Sequence, residues 1–180
     1  MMDNRSVFNL ISDLTHKEGV SCVLIGGFAV NHYKVTRQTA DVDFLITKED
    51  FKKIFNFLEE AGYKKGLFQE NFAQLKSNRL SLMDIDFMFI DQETLTKIIN
   101  EGELLKIVGQ KFIVPSLDHL IALKLHSIKY NPKIRLSRDF PDIINLIRIN
   151  EVNIKDKKFK ELCLKYGTED IYQKILETLK

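Results

Sequence analysis

Apolar positions recur at helical spacing near the start of the chain. Val7, Phe8, Leu10, Ile11 and Leu14, closed by Gly19, predict an amphipathic helix with a glycine at its C-terminal end. A short apolar β run, SCVLIG, follows and ends in Gly26 and Gly27, and a helix over 28–33 restarts directly after the glycines. A polar loop, VTRQT, leads to a strand over 41–46. Thr47 then caps a helix that runs to Gly62, with Asp50 in the capping-box position and Phe51, Ile54, Phe55 and Leu58 on its apolar face. Two further β runs, 72–76 and 80–90, joined by Ser77, Asn78 and Arg79, predict a hairpin. A helix over 93–100 precedes a smaller hairpin, LLKIVGQKFIVP, with its turn at Gly109 and Gln110. From Ser116 the pattern is helical: SLDHLIALKLHSIKY, a break at Pro132, then SRDFPDIINLIRI, KDKKFKELCLKY and TEDIYQKILETL. The order implies an α/β (α+β) fold, a mixed sheet flanked by helices in residues 1–115 and a helical region packed on that core in 116–180.

Composition narrows the classes. The 180 residues are 44% hydrophobic and 29% charged, the balance of an ordinary globular chain. Twenty-seven Lys and Arg against 25 Asp and Glu leave a net charge of +2, which excludes a polybasic binder acting through its total charge. Charge is nevertheless uneven. Between His119 and Arg138 lie Lys124, Lys129, Lys133, Arg135 and Arg138 with no acidic residue among them. Cys22 and Cys163 sit far apart in apolar contexts without metal spacing, so neither a zinc site nor a disulfide framework is expected. No apolar run approaches the ~20 residues that span a bilayer, and MMDNRSVFNL lacks a signal-peptide core, so a cytoplasmic protein without a membrane partner is expected.

The candidate chemistry lies in two strands. Asp41-Val42-Asp43 and Asp84-Ile85-Asp86 each sit in an apolar β run, so each pair of carboxylates projects to one face while Val42 and Ile85 point to the other. Like charges on neighbouring strands repel, and a divalent cation held by oxygen ligands offsets that repulsion directly. Carboxylates without His or Cys favour Mg²⁺ or Mn²⁺ over zinc. An Asp-x-Asp alone is common by chance, and a lone Gly-Gly is first a tight turn. Gly26-Gly27 lies between a strand and a helix, where glycines let a phosphate approach backbone N–H groups. The absence of GxxxxGK[ST] and GxGxxG leaves neither a P-loop nor a dinucleotide fold supported.

Taken together, GGFAVNHYKVTRQTADVDFLI resembles the signature of the nucleotidyltransferase superfamily, the fold of DNA polymerase β. Gly26, Gly27, Ala29, Arg37, Thr39, Asp41 and Asp43 stand at its matched places, while Lys34 stands where these relatives often have Gly. VPSLDHLIALKLHS followed by RLSRDFPDIINLI resembles the helical part of AbiEii-type and related minimal nucleotidyltransferases, through Lys124, Arg135, Arg138, Asp139 and Asp142. The resemblance covers about residues 20–148.

It implies a Mg²⁺- or Mn²⁺-dependent transfer of an NMP group from a nucleoside triphosphate to an acceptor hydroxyl. Asp41, Asp43 and Asp86 would be the catalytic metal ligands, with Asp84 the competitor for the third place. Gly26, Gly27, Arg37, Thr39 and Lys124 would bind the nucleotide. RNA, including tRNA ends, or a protein hydroxyl are its candidate acceptors. The AbiEii likeness adds a toxin role with an antitoxin partner, and a nucleotide-binding or interaction module without catalysis is the alternative. Read without the resemblance, Lys124 is a lysine carrying its charge out to solvent. Arg135 with Asp139, and Arg138 with Asp142, have the spacing of ordinary helix ion pairs, which would orient groups around the site. His16, His32, His119 and His126 show no metal spacing.

Overall fold

A computed structural model describes residues 6–79 and 82–180. Residues 1–5, together with Leu80 and Ser81 at the start of the predicted 80–90 run, lie outside the described residues. The described residues fall into two units. One holds the residues up to Phe28 together with Gln38–Pro115, and the other holds Ala29–Arg37 with Ser116–Lys180.

In the first unit, helix α1 (Val7–Glu18) is started by a capping box between Ser6 and Asn9 and ends at Gly19, whose φ of 63° is the left-handed stop that glycine adopts without strain. Strand β1 (Cys22–Ile25) leads into α2 (Gly26–His32), within which the chain passes from the first unit to the second. The helix therefore begins at the first glycine of the pair, two residues before its expected start. Strand β2 (Asp41–Ile46) is followed by α3 (Lys48–Glu60), whose N-terminus Thr47 caps by accepting from the Asp50 N–H. The return half of that capping box is not made. Asp50 instead accepts from the Ser21 N–H and from Lys53.

Strands β3 (Tyr63–Gln69), β4 (Phe72–Ser77) and β5 (Asp84–Phe89) follow as antiparallel neighbours. After α4 (Gln92–Glu101), β6 (Glu103–Ile107) and β7 (Gln110–Val114) form the small hairpin. Its register pairs Ile107 with Gln110, so the turn residues are Val108 and Gly109 rather than Gly109 and Gln110. Both have positive φ, 49° and 74°, as a two-residue hairpin turn that follows the strand twist requires.

The seven strands form one mixed sheet in the order β3-β4-β5-β2-β1-β7-β6. Its two central partners, β2 and β5, run parallel, and β1 lies antiparallel to β2. Phe44 and Phe87 stack at 5.9 Å on one face, and Phe51 of α3 packs on Phe87 and Phe89. Ile11, Ile54, Leu58 and Leu95 from the helices are fully buried with Leu24, Leu45, Leu75 and Ile85 from the strands. Each such side chain contributes about 1.5–3 kcal/mol of burial.

The second unit consists of α5 (Leu117–Tyr130), α6 (Pro132–Ile149), α7 (Lys157–Tyr166), α8 (Glu169–Thr178) and the 29–37 segment. Pro132 occupies the first turn of α6, where its missing N–H costs nothing. The helix then runs unbroken through 134–149 with Pro141 in its interior, longer than the apolar pattern from Ser137 suggests. The 29–37 segment is tied to these helices by Asn150 Nδ2, which donates to the Tyr33 carbonyl at 3.1 Å. Among the described residues no helix is long and apolar enough to cross a membrane.

Candidate active site

Two strands bring four carboxylates to one face of the sheet. The parallel register sets Asp41 beside Asp84, Val42 beside Ile85 and Asp43 beside Asp86. Alternation along each strand buries Val42 and Ile85 completely and leaves the four aspartates half-buried. The backbone thus holds the aspartates as two adjacent cross-strand pairs.

Each carboxylate has a different neighbourhood. Thr39 Oγ1 donates to Asp41 Oδ1 at 3.0 Å and to the Asp41 carbonyl at 2.9 Å, fixing the entry to β2. Gln74 lies opposite Asp86 in the β4–β5 register, and its Nε2 donates to Asp86 Oδ1 at 3.1 Å. Asp84 Oδ1 accepts from the Ser77 N–H at 2.9 Å, so this carboxylate closes the connection between β4 and β5. Asp84 also acts on Tyr63, whose phenol is pushed above its ordinary range first by burial and then by that negative charge. Tyr63 meanwhile donates to the Met83 carbonyl.

Asp43 is shaped by the glycine pair. Ile25 of β1 is paired with Asp43, which brings the next residue, Gly26, against the Asp43 side chain. A Cβ at Gly26 would lie 1.9 Å from Asp43 Oδ2, and the residue has φ +64°. Only glycine satisfies both conditions. At Gly27 a Cβ would fall 2.6 Å from Thr39 Cβ, so the pair as a whole clears room beside Thr39 and Asp43.

The second unit holds a separate charged cluster. Lys124 is 6% exposed, and its Nζ donates to Asp139 Oδ1 at 2.9 Å and Asp142 Oδ2 at 2.7 Å. Arg37 pairs with the same Asp142 oxygen. Asn31 grips the Arg37 backbone, accepting from its N–H at 2.7 Å and donating to its carbonyl at 2.9 Å. Lys124 therefore does not carry its charge out to solvent. The carboxylates of Asp139 and Asp142 likewise turn to Lys124 and Arg37 and not to Arg135 and Arg138 along the helix, because a buried carboxylate needs a cation within the same buried space. Lys34 has φ 64°, so the turn before Arg37 keeps a left-handed residue where relatives often have glycine.

Gln74, Ser77 and Asn31 were not expected from the sequence. Gln74 interrupts the apolar run FAQLK, and that polar break inside a strand was the available signal. Of the histidines, His16 Nδ1 lies 2.7 Å from the Ser12 carbonyl and His126 stacks beside Tyr130 at 4.5 Å. Both cysteines are unpaired with each other, and both thiols are pushed up to about 12. Burial is the cause for Cys163, and burial and then the Asp50 carboxylate for Cys22. Among the described residues no three His, Cys, Asp or Glu side chains close into a preformed metal group.

A mixed sheet of this order carrying strand-borne aspartates beside a glycine turn defines a nucleotidyltransferase fold, and solved structures agree. The antibiotic-resistance factor ANT(2'')-Ia in solution matches with a TM-score of 0.63 at 13% identity, over 95% of this chain and 95% of that one. The lincosamide antibiotic adenylyltransferase LnuA, lincomycin-bound, gives 0.55 at 18% identity over 77% and 93%. An antigenic nucleotidyltransferase-like protein from Paracoccidioides brasiliensis gives 0.57 at 18% identity over 93% and 86%. The chain belongs to the family described as uncharacterised nucleotidyltransferase, whose model it matches over residues 6–180. No curated protein matches it in sequence.

Proposed function

We propose that the protein transfers an NMP group from a nucleoside triphosphate to an acceptor hydroxyl. The observation that carries this reading is the register that sets Asp43 beside Asp86, with Gly26 cleared against the Asp43 carboxylate. In the reaction a bond forms between the acceptor oxygen and the α-phosphorus as the bond from that phosphorus to pyrophosphate breaks. Asp41, Asp43 and Asp86 form an all-oxygen donor set suited to Mg²⁺ or Mn²⁺. A divalent ion bound there would neutralise the charge gathered on the phosphate oxygens and align the displacement. Each of Asp84 and Asp86 has one oxygen hydrogen-bonded, Asp84 to the Ser77 backbone amide at a strand end and Asp86 to the Gln74 side chain; Asp86 is the third member in this reading because the resemblance places it there and the register sets it beside Asp43.

Gly26, Gly27 and Thr39 shape the phosphate side of this reading. Gly26 keeps Asp43 in place, and Thr39 orients Asp41 through its hydroxyl. The resemblance adds Arg37 and Lys124 as triphosphate contacts. Both cations are matched by Asp139 and Asp142, so such a contact requires that network to open. The AbiEii-type reading, with a toxin role, an antitoxin partner and RNA or protein as acceptor, rests on the Lys124 to Asp142 run alone. Growth arrest on expression that disappears with Asp41→Ala is its test.

The catalytic reading is tested by incubating the protein with each α-labelled triphosphate, Mg²⁺ and mixed acceptors. Label transfer is expected, abolished by Asp41→Ala, Asp43→Ala or Asp86→Ala and retained by Asp84→Asn. Failure to label RNA, protein or any small molecule refutes it. The alternative is a nucleotide-binding or interaction module without catalysis. Calorimetric binding of Mg²⁺ and ATP without turnover would identify that case.

A further inference from the structure

The carboxylates on the sheet and those buried in the second unit are met by different kinds of donor. Asp139 and Asp142 are paired with cations, Lys124 and Arg37. The hydrogen bonds described above to Asp41, Asp84 and Asp86 come instead from neutral groups: the Thr39 hydroxyl, the Ser77 amide and the Gln74 side-chain amide. A cation cancels a carboxylate's charge, whereas a neutral donor fixes where the carboxylate points and leaves its charge to be met by a metal ion.

Gln74 stands apart from the other two donors because the edge of the sheet is built around it. Alternation along β4 buries Ala73 and Leu75 completely and puts Gln74 on the opposite face, where its Nε2 reaches Asp86 Oδ1 at 3.1 Å. On its other side β3 carries a bulge. Lys65 pairs with Leu75 and Phe68 with Ala73, so two residues, Gly66 and Leu67, stand against the one glutamine. A Cβ at Gly66 would lie 3.1 Å from Gln74 Oε1 and 3.2 Å from both Gln74 Cγ and the Gln74 carbonyl oxygen, closer than ordinary contact at 3.4 Å. Gly66 is not among the glycines with positive φ, so φ does not demand glycine there. The room it leaves is room for Gln74. Gly66 thus stands to Gln74 as Gly26 stands to Asp43, a bare stretch of backbone against a side chain that has to keep its place.

We propose that Gln74 is a positioning residue of the site: it holds the Asp86 carboxylate in the orientation from which Asp86 and Asp43 take a divalent ion together, and the Gly66 bulge holds Gln74. This rests on the reading of Asp86 as a metal ligand. It adds a residue from β4 and a glycine from the edge strand β3 to what that reading requires.

The test is Mn²⁺ binding to the full chain without triphosphate, read by calorimetry, with thermal unfolding measured beside it. Gln74→Met keeps the length of the side chain but has no donor, and Gln74→Asn keeps the amide but draws it back by one methylene. Each is expected to weaken Mn²⁺ affinity by about 10–100-fold, the usual cost of losing a group that orients a metal ligand. Gly66→Ala touches no carboxylate, yet it crowds Gln74 and should weaken affinity in the same direction by a smaller factor. Its Tm should stay within about 3 °C of the parent, because an exposed strand position without positive φ tolerates alanine. Gln69→Met, the same kind of change at the exposed end of β3, should leave affinity and Tm as they are. A parent that takes up no Mn²⁺, or an Asp86→Ala variant that binds as the parent does, refutes the metal-ligand reading and this proposal with it. Binding that is lost in Asp86→Ala but kept at parental strength in Gln74→Met and Gln74→Asn overturns the positioning role alone. Should both Gln74 variants fail to fold, Gly66→Ala decides, and parental affinity in that variant overturns the proposal.

Discussion

Replacing Gly26 by Ala separates the backbone role of the glycine from its service to Asp43. At φ +64° an L-residue costs about 1–2 kcal/mol relative to glycine. Gly19 has nearly the same backbone, φ +63°, and nothing within 4 Å of where its Cβ would stand. Gly19→Ala and Gly26→Ala therefore share one conformational penalty, expected to lower Tm by about 2–8 °C in a chain of this size. Only Gly26→Ala adds a collision, since its Cβ would sit 1.9 Å from Asp43 Oδ2 where ordinary contact begins at 3.4 Å. The carboxylate must withdraw by about 1.5 Å, the shortfall between those two distances. A displacement of about 1 Å in a catalytic group is enough to cost on the order of a hundredfold in rate. Mn²⁺ binding measured by calorimetry, with α-label transfer beside it, is the assay. Gly26→Ala is expected to lose most of both, and Gly19→Ala neither. Wild-type Mn²⁺ affinity in Gly26→Ala, or equal losses in the two variants, would refute the claim that this glycine exists to seat Asp43.

Two further outcomes are expected. Lys124→Met strands Asp139 in a buried position and leaves Asp142 with Arg37 alone, so urea unfolding should report a loss of about 3–5 kcal/mol. Adding Asp139→Asn should recover part of it, and a cost for Lys124→Met no greater than that of a surface lysine would contradict the buried pairing. Both thiols are raised from 9.0 to about 12, so between those values the folded chain retains protons that the unfolded chain releases. Stability from this source is fully present below about pH 9 and falls as pH rises toward 12. The urea midpoint should therefore drop between pH 8 and pH 10.5, and less so in a Cys22→Ser, Cys163→Ala double variant.

Elements with a strong apolar period were readable from the chain. The spacing of Val7 to Leu14 with Gly19 behind it defines α1, and DVDFLI defines β2 to the residue, because in both the buried positions recur with one period. Strand β3 leaves no apolar pattern in the sequence because of its seven residues only Tyr63 is buried. An edge strand with exposed side chains has no pattern to read. The Val108–Gly109 turn lies one residue before the place that local preference indicates, since a β-branched residue with φ 49° is a conformation that such preference argues against and only the β6–β7 register imposes. Near the site, alternation predicted which way the aspartates point. It could not distinguish Asp84 from Asp86, a difference that lies in the Ser77 amide and the Gln74 side chain contributed by another strand. The partners of Asp139 and Asp142 were equally hidden, because helix spacing offers nearby arginines while burial selects Lys124 and Arg37, which come from other segments.

The paired register of β2 and β5 has a consequence for assembly of the sheet. A strand displaced by one residue exchanges its two faces. If β5 slid by one against β2, Asp84 and Asp86 would enter the layer where Ile85 and Phe87 now stand completely buried, and those two would be thrust out. Two charges forced into a dry core make that misalignment far costlier than any neutral sequence would. The carboxylates proposed above for phosphate chemistry thus also penalise, while the chain folds, the one pairing error that hydrophobic neighbours alone would half tolerate.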